Sequence, residues 1–245
     1  MRKSLFFATI YTMNPLRAII QKTGFDFHRH YVATDKLEFL KTFGIQTVLD
    51  IGANEGQFAK EIRGVLPEAF IYSFEPLREI CATLEKNMNA DRHFKAFRFA
   101  LGDQNTDMQM EKNEYSPSSS ILPLGEKHKA LFPHARQTSK ETITVKTLDA
   151  VLPDLRVKKE ILIKVDVQGF EDKVITGGEN AFRQAKAIIM ETSFVELYQN
   201  QPTFDDIYET LKHLGFSYCG SLQEKVDKKT GHIVSEDSLF VTTAD

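Results

Sequence analysis

Residues 48–59 read VLDIGANEGQFA. An apolar run ends at Asp50 and Ile51, glycines at 52 and 56 frame a short turn, and a helical pattern begins near Gln57. That is the outline of a strand, a tight loop and a helix, the opening unit of a parallel α/β sheet. Glycine lacks a Cβ, so such a loop lets a ligand come close to the N–H groups at a helix start. Any α/β protein can need a glycine turn after a strand, so the loop by itself names no ligand.

Outward from this unit the same rhythm repeats. Strand-like runs stand at QTVLDI (46–51), AFIYSF (69–74), FKAFRFA (94–100), EILIKVD (160–166) and KAIIME (186–191). Between them GQFAKEIRGVL and PLREICATLEKNMN space their apolar residues by three and four, as crossover helices do. FDDIYETLKHLGF reads as a further helix stopped at Gly215, and FSYCGS and SLFVTT as an antiparallel pair closing one edge. The expectation is a doubly wound, mostly parallel sheet of seven strands whose C-terminal strand is antiparallel. Residues 1–44 form a helical lead-in and 45–245 the main domain. An insertion at about 105–150 carries two strand-like segments, TDMQMEK and ETITVK, around a polar, proline-containing stretch; long irregular segments of this kind usually serve function.

The chemistry collects at strand ends. Glu75, followed by Pro76, ends the second strand 25 residues after Asp50, where a carboxylate accepts hydrogen bonds from a ribose diol. The turn reads Gly-Ala-Asn-Glu-Gly, not the G-x-G-x-x-G that shelters a pyrophosphate, and Glu55 stands where an anion would approach. An acidic turn disfavours NAD and suits S-adenosylmethionine, which has no phosphate and carries a sulfonium and an ammonium. Glu55 alone is equally a solvated residue at a helix start. Asp103, in ALGDQ, is either an adenine ligand or ordinary turn chemistry. IKVDVQGFE (163–171) brings Asp166 to the open edge of the sheet, and Lys164 and Asp166 are either catalytic groups or a structural ion pair.

Taken in order, DIGANEGQFA, FEP, ALGD, TLDAVL, IKVDVQGFE and IIMETS resemble the FkbM-like methyltransferases over roughly residues 46–195. The resemblance implies a class I methyltransferase fold, S-adenosylmethionine as cofactor, and O-methylation of a sugar or natural-product hydroxyl. Many members read D-x-E-G-x-E where this chain has Asp166, Gln168, Gly169 and Glu171. The expected cofactor set is Asp50, Gly52, Asn54, Gly56, Glu75, Pro76, Asp103 and Asp166. Asp166 is the expected base, because its strand end lies beside the cofactor's methyl end. His128 and His134 are alternatives, with His28 and His30, all in segments able to close over the sheet edge. Glu191 is a further candidate, for acceptor orientation or for an ion pair with Lys164. No metal is required. Ser116–Ser120 either bind a polyhydroxylated acceptor or form a polar loop.

Composition narrows the partners. The chain has 245 residues, 42% hydrophobic and 27% charged, with a formal net charge of −3, so it lacks the basic footprint of a nucleic-acid binder. A small-molecule or saccharide acceptor is expected, with no DNA, while the oligomeric state is left open. Two cysteines without paired spacing point to a reducing cytoplasm. MRKSLFFATIYTM has a basic start and a short apolar run, but no small-residue cleavage site follows. No run reaches the roughly 18 apolar residues of a membrane span. Competing readings are a Rossmann-type NAD or nucleotide-sugar enzyme, a non-catalytic cofactor- or glycan-binding module, and an RNA methyltransferase. The last would use Lys127, His128, Lys129, Arg136 and Lys140 as a basic surface.

Overall fold

The computed structural model describes residues 36–113, 119–131 and 138–243. Most of the lead-in, with His28 and His30, lies outside these residues, as do His134 and Ser116–Ser118.

Seven strands form one sheet in the order β3-β2-β1-β7-β8-β10-β9. They are β1 (Thr47–Ile51), β2 (Phe70–Phe74), β3 (Phe94–Phe97), β7 (Ile161–Val165), β8 (Ala185–Ser193), β9 (Phe216–Val226) and β10 (Ile233–Thr242). The first five run parallel, and β10 inserts antiparallel between β8 and β9. Helices Gln57–Val65, Arg78–Met88, Glu171–Thr176 and Phe204–His213 belong to the connections. Every residue of β1 and of β7 is buried, because central parallel strands are covered on both faces. One apolar cluster on β1 and β7 gathers Leu49, Ile163 and Phe182, and another gathers Val48, Ile62 and Leu162.

The run 94–100 is not one strand. β3 stops at Phe97, where Phe97 stacks on Phe74 at 5.3 Å, and Ala100–Leu101 (β4) leaves to pair with β6 (Thr138–Lys146). β6 in turn pairs antiparallel with β5 (Thr106–Asn113), so the insertion is a small sheet, β4-β6-β5. Its apolar side, Met110, Ile143 and Val145, packs on Leu77 and Ala100. The insertion thereby stands against Leu77 just beyond the end of β2, where the second strand delivers Glu75. No described helix is long and apolar enough to cross a membrane.

Candidate active site

The C-terminal ends of β1, β2 and β7 open onto a cavity with about 800 Å³ of empty space counted out to its mouth. Gly52, Asn54, Glu75, Asp166, Gln168 and Lys225 give it polar groups, and Pro76, Leu77, Ile80, Met110, Ile121 and Phe170 an apolar wall. A concave site that is mainly apolar with a few converging polar groups is the usual form of a small-molecule site.

Gly52 is required by packing as much as by any ligand. Its φ is +81°, and an added Cβ would sit 1.9 Å from the Asp166 carbonyl oxygen. β1 and β7 are held together there by the Asp166 N–H, which donates to Ile51 O at 2.9 Å. Gly56 caps the helix Gln57–Val65 with φ +90° and packs on Leu84 and Met88; it does not line the cavity.

Glu75 is buried, and both its oxygens accept backbone donors: Leu77 N–H on Oε1 at 2.9 Å and Asn54 N–H on Oε2 at 3.1 Å. An ionised carboxylate has about four acceptor positions, so two remain for a ligand. Burial pushes its pKa up to about 7, against the pull of the Leu77 and Asn54 donors.

The β7 end forms a connected network. Gln168 sits in the left-handed region with φ 58° and Gly169 follows with φ 99°. Buried Glu171 closes the turn by accepting Gly169 N–H at 3.1 Å and Val167 N–H at 3.3 Å, and burial, reinforced by Glu191, pushes its pKa up to about 8. The Gln168 amide nitrogen donates to Asp166 Oδ1 at 2.5 Å and to Glu191 Oε2 at 2.6 Å, while its oxygen accepts from Tyr198 OH at 2.6 Å. Ser120 Oγ donates to the Gln168 carbonyl at 2.6 Å. A glutamate at 168 has no N–H with which to join these two carboxyls; the amide of this chain does.

Lys164 lies 3.3 Å from Asp166 and 3.6 Å from Asp237. Glu191 is paired with Lys225, not with Lys164. Burial works against ionisation of Asp166, but Lys164 and Lys225 outweigh it and hold its carboxyl below the usual range. Glu191 moves the opposite way, because burial and the neighbouring Asp166 charge disfavour its ionised form more than Lys225 favours it.

Other expected residues lie elsewhere. Asp50 does not face the cavity: it is buried between strands, accepts Ser73 Oγ–H at 2.8 Å, and has a pKa raised by burial to about 6. The strand pattern that puts Leu49 and Ile51 on one side puts Asp50 on the other, in register with Lys164. Asp103 is exposed in its turn and does not line the cavity. His128 is buried behind Tyr198, with Nε2 3.4 Å from the phenol oxygen, and does not line the cavity. Asn54, Pro76 and Asp166 do line the cavity. Lys225, Tyr198 and the Met110 wall were not anticipated; they stand in segments with no motif, and only sheet order brings them here.

A model of the methyltransferase FkbM domain matches residues 50–218. The 2-O-methyltransferase NoeI of Sinorhizobium fredii is 28% identical over 161 residues, 63% of this chain and 66% of that protein. Methyltransferase sdnD of Sordaria araneosa is 27% identical over 169 residues, 59% of this chain and 65% of that protein. The chain thus spans just under two thirds of either relative's length. A Klebsiella pneumoniae protein provisionally assigned as an O-methyltransferase matches in fold with a TM-score of 0.50 at 10% identity, over 96% of this chain and 93% of its own. With the sheet order and the family match in agreement, the chain belongs to the FkbM methyltransferase family on a class I, Rossmann-like fold.

Proposed function

We propose that this protein transfers a methyl group from S-adenosylmethionine to a hydroxyl oxygen of a saccharide or related natural product, acting in the cytoplasm. The carrying observation is Glu75, a buried carboxylate with acceptor positions to spare at the rim of an apolar-walled cavity. Two spare positions suit a ribose diol, and the wall from Pro76 to Ile80, with Met110 and Ile121, suits a flat base. The acidic rim of Glu75 and Asp166 opposes a pyrophosphate and tolerates a cation.

Bound there, S-adenosylmethionine supplies a methyl group activated by a positively charged sulfur. The protein's part is to align the acceptor oxygen and to take its proton. Asp166, held ionised by Lys164, is a weak base; its charge favours cations nearby. Glu191, whose pKa is displaced upward towards neutrality, is the better proton acceptor, and Lys225 and Gln168 fix its two oxygens. His128, 3.4 Å from the Tyr198 hydroxyl, serves to orient that phenol. The name of the relative NoeI, a 2-O-methyltransferase, supports oxygen as the methylated atom.

Calorimetric titration with S-adenosylmethionine, S-adenosylhomocysteine and NAD tests the cofactor. Saturable binding of the first two and not of NAD is expected; binding of NAD alone would overturn the proposal. The same titration carries a pH prediction. The diol needs the Glu75 carboxylate, so binding expels the proton that Glu75 holds below about pH 7. Affinity is therefore full above pH 7 and falls about tenfold per unit below it, until the bound form protonates too. Glu75→Gln binds weakly at every pH and loses this slope.

A further inference from the structure

We propose that a second cavity, on the β9–β10 side of Asp166, is the acceptor subsite, and that it takes a neutral or amine-bearing polyhydroxylated ring while rejecting one that carries carboxylate or phosphate. This rests on the reading of the first cavity as the cofactor site.

The second cavity has about 380 Å³ of empty space and is lined by Asp166, Glu191, Gln223, Lys225, Ser235 and Asp237, with Glu236. It shares Asp166 and Lys225 with the first cavity, so a ring seated in it has a hydroxyl beside Glu191 and next to the cofactor space. Strand pairing produces the cluster: Asp237 is in register with Glu191 on β8, and Ser235 with Lys225 on β9.

Ser235 separates a ligand site from a mere acidic patch. It is fully buried, lines the cavity, and its hydroxyl has no hydrogen-bond partner among the described residues. Buried hydroxyls are normally satisfied, and one left open towards a polar cavity awaits a partner. The lining mixes donors (Lys225, Gln223, Ser235) with acceptors (Asp166, Glu191, Asp237), matching sugar hydroxyls that each donate and accept. Its charge sets the class. The carboxyls of Asp166, Glu191 and Asp237 outnumber the ammonium groups of Lys164 and Lys225, and each lysine already has a carboxylate partner. Glu236, accepting from Tyr218 OH and Ser238 Oγ, adds a fourth carboxyl. An anionic ring finds no unpaired cation there.

The test is saturation-transfer NMR on the full chain saturated with S-adenosylhomocysteine. The probes are methyl α-D-glucopyranoside, D-glucosamine, D-glucuronate and glucose 6-phosphate. Signals from the first two, and none from the anions at equal concentration, are expected. Ser235→Ala is expected to weaken the two bound sugars about tenfold, the loss of one good hydrogen bond, while S-adenosylhomocysteine binds as before. Its melting temperature stays unchanged or rises by about 2–4 °C, since an unsatisfied buried hydroxyl is removed. Asp237→Asn is expected to restore some binding of the anions. Equal signals from anionic and neutral probes, silence from all four, or a Ser235→Ala protein that melts lower yet binds sugar normally would each overturn the inference. Failure of the cofactor reading is distinct: the wild type would then not bind S-adenosylhomocysteine in the control titration.

Discussion

Glu191→Gln is expected to lower methyl transfer by roughly 100- to 10,000-fold, the range for loss of a positioned general base, while leaving cofactor affinity within about twofold. The amide oxygen keeps Lys225, at the cost of turning the new NH2 towards the Gln168 amide nitrogen, so the Gln168 bond to residue 191 is lost while Gln168 keeps Asp166 and Tyr198 and the fold survives. What disappears is an atom able to hold the acceptor's proton. The pH profile separates this from a positional effect. In the wild type the acidic limb of kcat stands above the ordinary carboxylate range, because Glu191 must be ionised to act and burial with Asp166 opposes ionisation. In the variant that limb is gone. Radiolabelled methyl transfer to the sugar of highest wild-type turnover measures both. Near-normal kcat in Glu191→Gln would return the role of base to Asp166.

Gly52→Ala is expected to damage folding itself. The new Cβ would fall 1.9 Å from the Asp166 carbonyl oxygen, a backbone atom of the neighbouring central strand that cannot swing away, and the residue's φ of +81° is strained for alanine. Strain of that kind costs about 1–3 kcal/mol, and adding the collision brings the loss to about 4 kcal/mol or more, where single substitutions become exceptional. A fall in melting temperature of about 10 °C or more follows for a domain of this size. Calorimetry of the variant without ligand checks it. A protein of normal stability that has lost only cofactor affinity would mean that the glycine serves ligand approach alone.

The same residue shows what the sequence could and could not disclose. The strand–glycine–helix outline gave the position of the loop, and alternation of apolar runs with helical spacing gave seven strands and their polarity, because those patterns are local. That Glu75, Pro76 and Asp166 line the cavity was legible because a strand end in a parallel sheet has one destination, its open edge. Asp50 was misplaced by the same logic: it lies one residue inside the strand end, where the pleat turns its carboxyl into the sheet towards Ser73. Asp103 lay in a turn whose direction depends on β4 leaving the main sheet, a tertiary choice that no run of residues announces. Lys225, Ser235 and Asp237 were silent because β10 passes between β8 and β9, and only that insertion brings them to Glu191. Gln168 was visible as a departure from D-x-E-G-x-E, but its bridging of two carboxyls needed coordinates.

The bond from Ser120 to the Gln168 carbonyl joins the inserted segment to the turn that carries Asp166, Gln168 and Glu171. A relative's insertion transplanted here brings a new side chain opposite residue 168, and the turn would lose its tether unless the graft keeps a hydroxyl at position 120. Chimeras made to alter acceptor choice should treat segments 119–121 and 166–171 as one cassette, so that this bond is kept or replaced together with its partner.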